Sequence, residues 1–217
     1  MTTRDAIDRP LFSAVVLAAG KSSRMQGQHK LLLPVDGQPA VRRTVSALLA
    51  AGPEEIVVVT GFNGRDVIGA LDDLEVRFQF NPRYEEGQMT SVAAGVAALG
   101  APCNVILVCL ADQVLLGAGD YLELVDAYRT MRHGSILVPS YRGQRGNPVA
   151  FSVSYAMEVI NGHINPGCRK LIAEHPDEVF VYEAEHDRFV VDMDTPEDYA
   201  RVVERVRKVV NTVNADT

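Results

Sequence analysis

The stretch VVLAAGKSSRMQGQHKLLLP, residues 15–34, runs from an apolar segment into a loop of small, hydroxylated and basic residues. Its Gly20-Lys21-Ser22 looks like the end of a phosphate-binding P-loop. That motif requires a further glycine five residues before its Gly-Lys pair. Val15 holds that position, inside the apolar run, so the P-loop reading fails. The dinucleotide pattern G-x-G-x-x-G is absent too, because the next glycine after Gly20 is Gly27. A phosphate cradle is still readable. Leu17, Ala18, Ala19 and Gly20 end the run with no bulky side chain after Leu17, and backbone N–H groups there can point at an anion. Ser22 and Ser23 add hydroxyl donors, and Lys21, Arg24 and Lys30 add positive charge.

Outward from this loop, short apolar runs alternate with amphipathic stretches. Phe12–Leu17, Glu55–Thr60, Val76–Phe80 and Val105–Leu110 read as strands buried on both faces, as in a parallel sheet. Ala40–Ala51, Thr90–Leu99 and Tyr121–Met131 carry apolar residues at helical spacing. After about residue 133 the pattern breaks into short strand candidates at Ile136–Val138, Pro148–Val153, Val179–Tyr182 and Phe189–Val191. A last helix spans Pro196–Val210, with Thr195 as N-cap, Pro196 at N1 and Asp198 at N3. The alternation predicts a three-layer α/β/α sandwich with a mostly parallel, Rossmann-like sheet. No repeat or linker divides residues 1–217, so one domain is expected, with its ligands beyond the carboxyl ends of the strands.

Composition narrows the partners. A net charge of −7 argues against a nucleic-acid partner, which requires a basic face. No apolar run is long enough to cross a bilayer, and Met1–Pro10 has no apolar signal core, so a cytoplasmic location is expected. Cys103, Cys109 and Cys168 lack C-x-x-C spacing and read as small buried hydrophobes in a reducing compartment. The five histidines show no metal-ligand spacing.

Carboxylates stand where a cation would be wanted. In VILVCLADQ, Asp112 lies just past the most apolar strand candidate, where charge is costly without a partner. In VVDMDTPEDY, an extended chain puts Asp192 and Asp194 on one face. Helix capping accounts for Thr195, Pro196 and Asp198 but not for Asp192, and two like charges side by side repel unless a cation separates them. Mg2+ is commonly held by one or two carboxylates together with phosphate. Gly87–Ser91 is a polar loop feeding a helix N-terminus, a place that favours anions. Arg142 and Arg145 sit among glycines in RGQRGNPVAF, and arginine binds phosphate as a fork.

These segments, in this order, resemble the MobA-like nucleotidyltransferases. LAAGKSSRMQGQHK resembles that family's L-A-A-G-x-S-x-R-M-G-x-x-K, with Gln26 in place of the usual glycine and Gly27 one position later. LADQ and DMDTPED resemble its two metal motifs, and NPRYEEGQMTS resembles its base and ribose segment, with Gln88-Met89 replacing the usual Met-Gly. The resemblance spans about Ser13 to Val203. It implies the nucleotide-diphospho-sugar transferase type of fold, and catalytic roles for Arg24, Lys30 and Asp112. Leu17, Ala18, Ala19, Gly20, Ser22, Ser23, Arg24 and Lys30 would cradle the triphosphate, and Asn81, Gly87, Thr90 and Ser91 the base and ribose. Asp112 with one or both of Asp192 and Asp194 would bind Mg2+.

Within the family, Ala18-Ala19-Gly20, RGNPV and DMDTPED are similar to the molybdenum cofactor cytidylyltransferases. That similarity implies CTP as donor and a molybdopterin phosphate as acceptor, near Arg145, Gly146 and Asn147. NPGCRKLI is similar to their G-D-x-G-A-R-x-L-L and adds Arg169, with Asn165 and Pro166 standing where Gly-Asp is usual. Three alternatives stay open at this point: a cytidylyl- or uridylyltransferase acting on a sugar or polyol phosphate, an oxidoreductase of a small aromatic substrate, and a nucleotide-binding chaperone that hands cofactor to a recipient molybdoenzyme.

Overall fold

The computed structural model describes residues 9–162 and 168–215. His163, Asn165 and Pro166 lie outside the described residues. In chain order the elements are β1 (Phe12–Ala18), β2 (Pro34–Val35), β3 (Gln38–Pro39), α1 (Ala40–Leu49), β4 (Ile56–Thr60) and α2 (Gly64–Gly69). Next come β5 (Arg77–Phe80), α3 (Gln88–Ala98), β6 (Val105–Leu110), α4 (Ala118–Thr130), β7 (Ile136–Tyr141) and β8 (Gln144–Arg145). The chain ends with β9 (Val149–Ser152), α5 (Ala156–Asn161), α6 (Arg169–Glu174), β10 (Val179–Glu183) and α7 (Pro196–Ala215).

The main sheet has the order β10-β7-β9-β6-β1-β4-β5, with β8 hairpinned onto β7. Along that path only β9 runs antiparallel to its neighbours. The pleat sorts the apolar runs between two faces. Ala14, Val16 and Ala18 of β1, with Ile56 and Val58 of β4, join one buried cluster under α1, α2 and α4. Val15, Val57 and Val59 point the other way, into a cluster under α3, α5 and α6. Both faces are covered, which is why these strands read as continuous apolar runs and not as alternations.

α3 lies very close to the sheet. A Cβ at Gly95 would stand 2.2 Å from Val15 Cγ1 and 2.8 Å from Val59 Cγ2. α7 packs through Val202 and Val206 against Val35, Ala40, Val114 and Met193. It starts on the expected cap: Asp198 N donates to Thr195 Oγ1 at 3.2 Å, and Thr195 N donates back to Asp198 Oδ2 at 3.0 Å.

Three expectations need correction. The Val76–Phe80 run is not buried on both faces: β5 (Arg77–Phe80) ends the strand order as an edge strand, with Arg77 and Phe80 exposed and Phe78 and Gln79 half-buried. Phe189–Val191 is no strand; Asp187–Val190 forms a 3-10 turn whose Phe189 is fully buried in the core. Three consecutive apolar residues cannot distinguish a strand from a turn that drops one aromatic ring into the interior. The YRGQRGN segment is partly strand, since β8 pairs with β7 across Arg142-Gly143, both at positive φ as a tight hairpin requires. Cys109 and Cys168 are buried, whereas Cys103 is half-buried. Among the described residues no helix is long and apolar enough to cross a membrane.

Candidate functional site

A cleft of about 870 Å³ opens along the carboxyl ends of the strands. The strand register builds its centre. In the parallel pair β1–β6, Leu17 sits opposite Leu110. Just past the ends of these two strands, Ala19 and Asp112 both line the cleft. Gly20 has nothing within 4 Å of where a Cβ would be, so its backbone is open to the cleft.

The loop after β1 is held in shape by its own residues. Met25 is buried at 1% exposure and anchors it. Gln28 N donates to Met25 O at 3.0 Å, and Gln26 and Gly27 both have positive φ, the signature of a type I′ turn. The glycine displaced from 26 to 27 thus fills the second central position of that turn. Lys30 N donates to Ser22 Oγ at 3.2 Å, closing the loop on itself. Lys21 turns away, pairing with Glu85 at 2.6 Å beside the Tyr84 ring.

Lys30 and Arg24 meet the carboxylates. Lys30 Nζ donates to Asp112, and to Asp194 Oδ1 at 2.7 Å. Arg24 pairs with the other Asp194 oxygen at 2.7 Å. Burial works against charge on Lys30, but Asp112 and then Asp194 outweigh it, and its pKa is raised. Asp192 is held differently. Burial, reinforced by the charges of Asp112 and Asp194, pushes its carboxyl up to about 6, while a hydrogen bond from Gln113 Nε2 at 3.0 Å opposes the rise. All donors here are carboxylate oxygens, the set that hard divalent cations take. Lys30 Nζ stands between Asp112 and Asp194, and two carboxylates with phosphate oxygens are a set that Mg2+ takes, although the oxygens of Asp112, Asp192 and Asp194 do not close to the spacing of a three-carboxylate site. Among the described residues, the group of three potential ligands whose atoms lie close together is Asp120, Glu123 and His186, outside the cleft. There Arg188 forks onto Asp120, and Tyr182 Oη donates to Glu123 at 2.7 Å.

The structure divides the remaining residues singled out in the sequence. Leu17, Ala19, Gly20, Ser91, Arg145, Gly146, Asn147 and Arg169 line the cleft. Ala18 faces the core at 0% exposure, and Ser23 is exposed outside the cleft. Asn81 and Thr90 are buried beneath it: Asn81 Nδ2 donates to Thr90 Oγ1 at 2.8 Å and to Ser91 Oγ at 2.9 Å. Gly87, at φ +122, makes the bend between a 3-10 turn at Tyr84–Glu86 and α3. Asn81, Thr90 and Gly87 thus shape the wall from which Ser91 projects.

Sequence reasoning missed several residues. Tyr84 and Gln88 line the cleft beside Ser91, and Gln88 is the first residue of α3. Val138, Val149, Cys168 and Ile172 add apolar side chains to the cleft lining that Arg145 and Arg169 share. Their strand and helix patterning marks them only as core. Gln113 belongs to the LADQ segment, whose spacing carries no sign of a partner nearly eighty positions away.

The MobA-like NTP transferase domain model matches residues 14–179. Over 202 residues the chain is 27% identical to a molybdenum cofactor cytidylyltransferase of Escherichia coli strain K12, covering 90% of this chain and 97% of that one. It is 28% identical over 203 residues to a nicotine blue oxidoreductase of Paenarthrobacter nicotinovorans, covering 90% and 98% respectively. A solved nucleotidyl transferase from Methanothermobacter superposes with a TM-score of 0.79 at 26% identity, over 92% of this chain and 99% of that one. The fold is that of the nucleotide-diphospho-sugar transferases, a mostly parallel mixed sheet flanked by helices. With that family model matched over residues 14–179 and a fold of the same type, the chain belongs to the MobA-like NTP transferase family.

Proposed function

We propose that the chain, acting as one nucleotidyltransferase domain in the cytoplasm, moves CMP from CTP to the phosphate of molybdenum–molybdopterin. The products would be molybdopterin cytosine dinucleotide and pyrophosphate. The observation that carries this reading is the convergence of Lys30 and Arg24 with Asp112 and Asp194 at the middle of the cleft. The same cleft is lined by the glycine-ended loop and by Arg145, Asn147 and Arg169 together with apolar side chains.

In this scheme an acceptor phosphate oxygen attacks the α-phosphorus of CTP in line, and the bond to the β-phosphate bridging oxygen breaks. The acceptor is already ionised, so no general base is needed. Asp112 with one or both of Asp192 and Asp194 would hold a divalent cation, Mg2+, and its charge would polarise the α-phosphate. Gly20 and the loop backbone position the triphosphate. Lys30 and Arg24 exchange carboxylate partners for phosphate oxygens and stabilise charge on the departing pyrophosphate. Arg145 and Arg169 orient the acceptor phosphate as forks, and the apolar lining suits a flat ring system. The chemistry asked of the protein is positioning and charge neutralisation.

Pyrophosphate release, measured with each nucleoside triphosphate and Mg2+, tests the reading. Release with CTP that requires the pterin phosphate is expected. Equal release with a sugar or polyol phosphate would overturn the acceptor assignment. Tight nucleotide binding without turnover on any acceptor would favour the chaperone reading.

A further inference from the structure

The cleft's three carboxylates are not held alike. Asp112 and Asp194 each touch Lys30, whereas the hydrogen-bond partner of Asp192 among the described residues is an uncharged amide. That amide belongs to Gln113, which is completely buried. Its Nε2 donates both to Asp192 Oδ1 at 3.0 Å and to the backbone carbonyl of Phe189 at 2.9 Å. Its Oε1 is buried with no partner. A flipped amide would aim Oε1 at two acceptors, so the orientation is forced even though it strands an oxygen.

The Phe189 carbonyl receives a second donor, Asn147 N at 2.9 Å. Gly146 lies so close that a Cβ there would stand 2.3 Å from this oxygen. One backbone carbonyl therefore joins three segments: the turn after β6 that carries Asp112, the stretch leading to Asp192, and the loop that presents Arg145 to Asn147.

We propose that Gln113 is a positioning residue that holds the Asp192 carboxylate, which makes no ion pair with a cation among the described residues, ready for the divalent ion that accompanies the nucleotide. The assignment rests on the nucleotidyl-transfer reading and deepens it: of the two aspartates in the DMDTPED segment, Asp192 is the one kept for the metal. Asp194 already serves Lys30 and Arg24. Removing the Gln113 donor frees Asp192 to rotate, and loss of such a supporting hydrogen bond typically weakens metal affinity by about 10- to 100-fold.

The test titrates Mn2+–CTP with protein and follows water-proton relaxation, which reports the ternary complex without turnover. Gln113→Met keeps the volume and removes the donor. It should weaken Mn2+–CTP binding by about tenfold, raise the KM for the cation in pyrophosphate release, and leave kcat recoverable at saturating cation. Gln113→Asn, still polar but one methylene short, guards against a folding defect and should shift affinity in the same direction. In an Asp192→Asn background, Gln113→Met should add no further loss. Wild-type affinity in either folded Gln113 variant, or a full additional loss in the Asp192→Asn background, would overturn the assignment alone. Failure of the wild-type chain to bind Mn2+–CTP would overturn the nucleotidyl-transfer reading itself.

Discussion

The two ends of the cleft are built on different principles. The proposed phosphate end is closed on itself: Lys30 and Arg24 are already committed to Asp112 and Asp194, on a loop pinned by Met25 and by the bond from Lys30 N to Ser22. The proposed acceptor end is open. Arg145 sits on a two-residue strand and Arg169 at the first position of a six-residue helix, and both are exposed. A preorganised centre stabilises charge without reorganising at the moment of reaction, whereas short exposed elements tolerate change. The phosphate end should therefore govern whether transfer occurs at all, and the acceptor end what receives the nucleotide.

The harshest way to break this contrast is Asp112→Ala. It should lower CTP-dependent pyrophosphate release by about 10³-fold while the fold survives, as judged by circular dichroism, the size expected from removing a preorganised electrostatic element. Chelation of divalent cations should produce a comparable loss, reversed by adding Mg2+. Next in size is a change beneath the cleft. Gly95→Val would drive a side chain into Val15 and Val59, and overpacking of this kind costs about 1–3 kcal/mol. A lower melting temperature with unchanged KM values is the expected pattern.

Arg145→Ala and Arg169→Ala should each raise the acceptor KM by about tenfold, the scale of one charge-assisted hydrogen bond, with CTP binding unaltered. A loss of CTP affinity in either variant would mean the two ends are not separate. The smallest effect belongs to Lys21→Ala. Lys21 pairs with Glu85 at the surface, so activity should stay within about twofold, in contrast to Lys30→Met. A large loss there would restore the P-loop-like reading of Gly20-Lys21-Ser22.

Much of the fold was legible because β1, β4 and β6 are buried on both faces and so appear as unbroken apolar runs. The helices α1, α3, α4 and α7 were legible through their spacing, and α7 through its cap. The shorter helices α2, α5 and α6, six residues each, span too few turns for a 3.6-residue period to stand out. In the site, loop glycine, basic residues and aspartates were visible because they break the apolar background. The Phe189 turn and the Gln113 amide were not, since each acquires its meaning from a partner distant in the chain. Local pattern marks where a side chain sits along an element; it says nothing of what a buried amide will meet across the sheet.

The direct test of the central claim follows the nucleotide itself. CTP labelled at the α-phosphate would be incubated with the protein, Mg2+ and molybdenum–molybdopterin, and the products separated. The label should move into a pterin dinucleotide in step with pyrophosphate release, and Asp112→Ala should lower both by about 10³-fold. Label that stays in CTP, or emerges as free CMP whether or not the pterin is present, would contradict that claim.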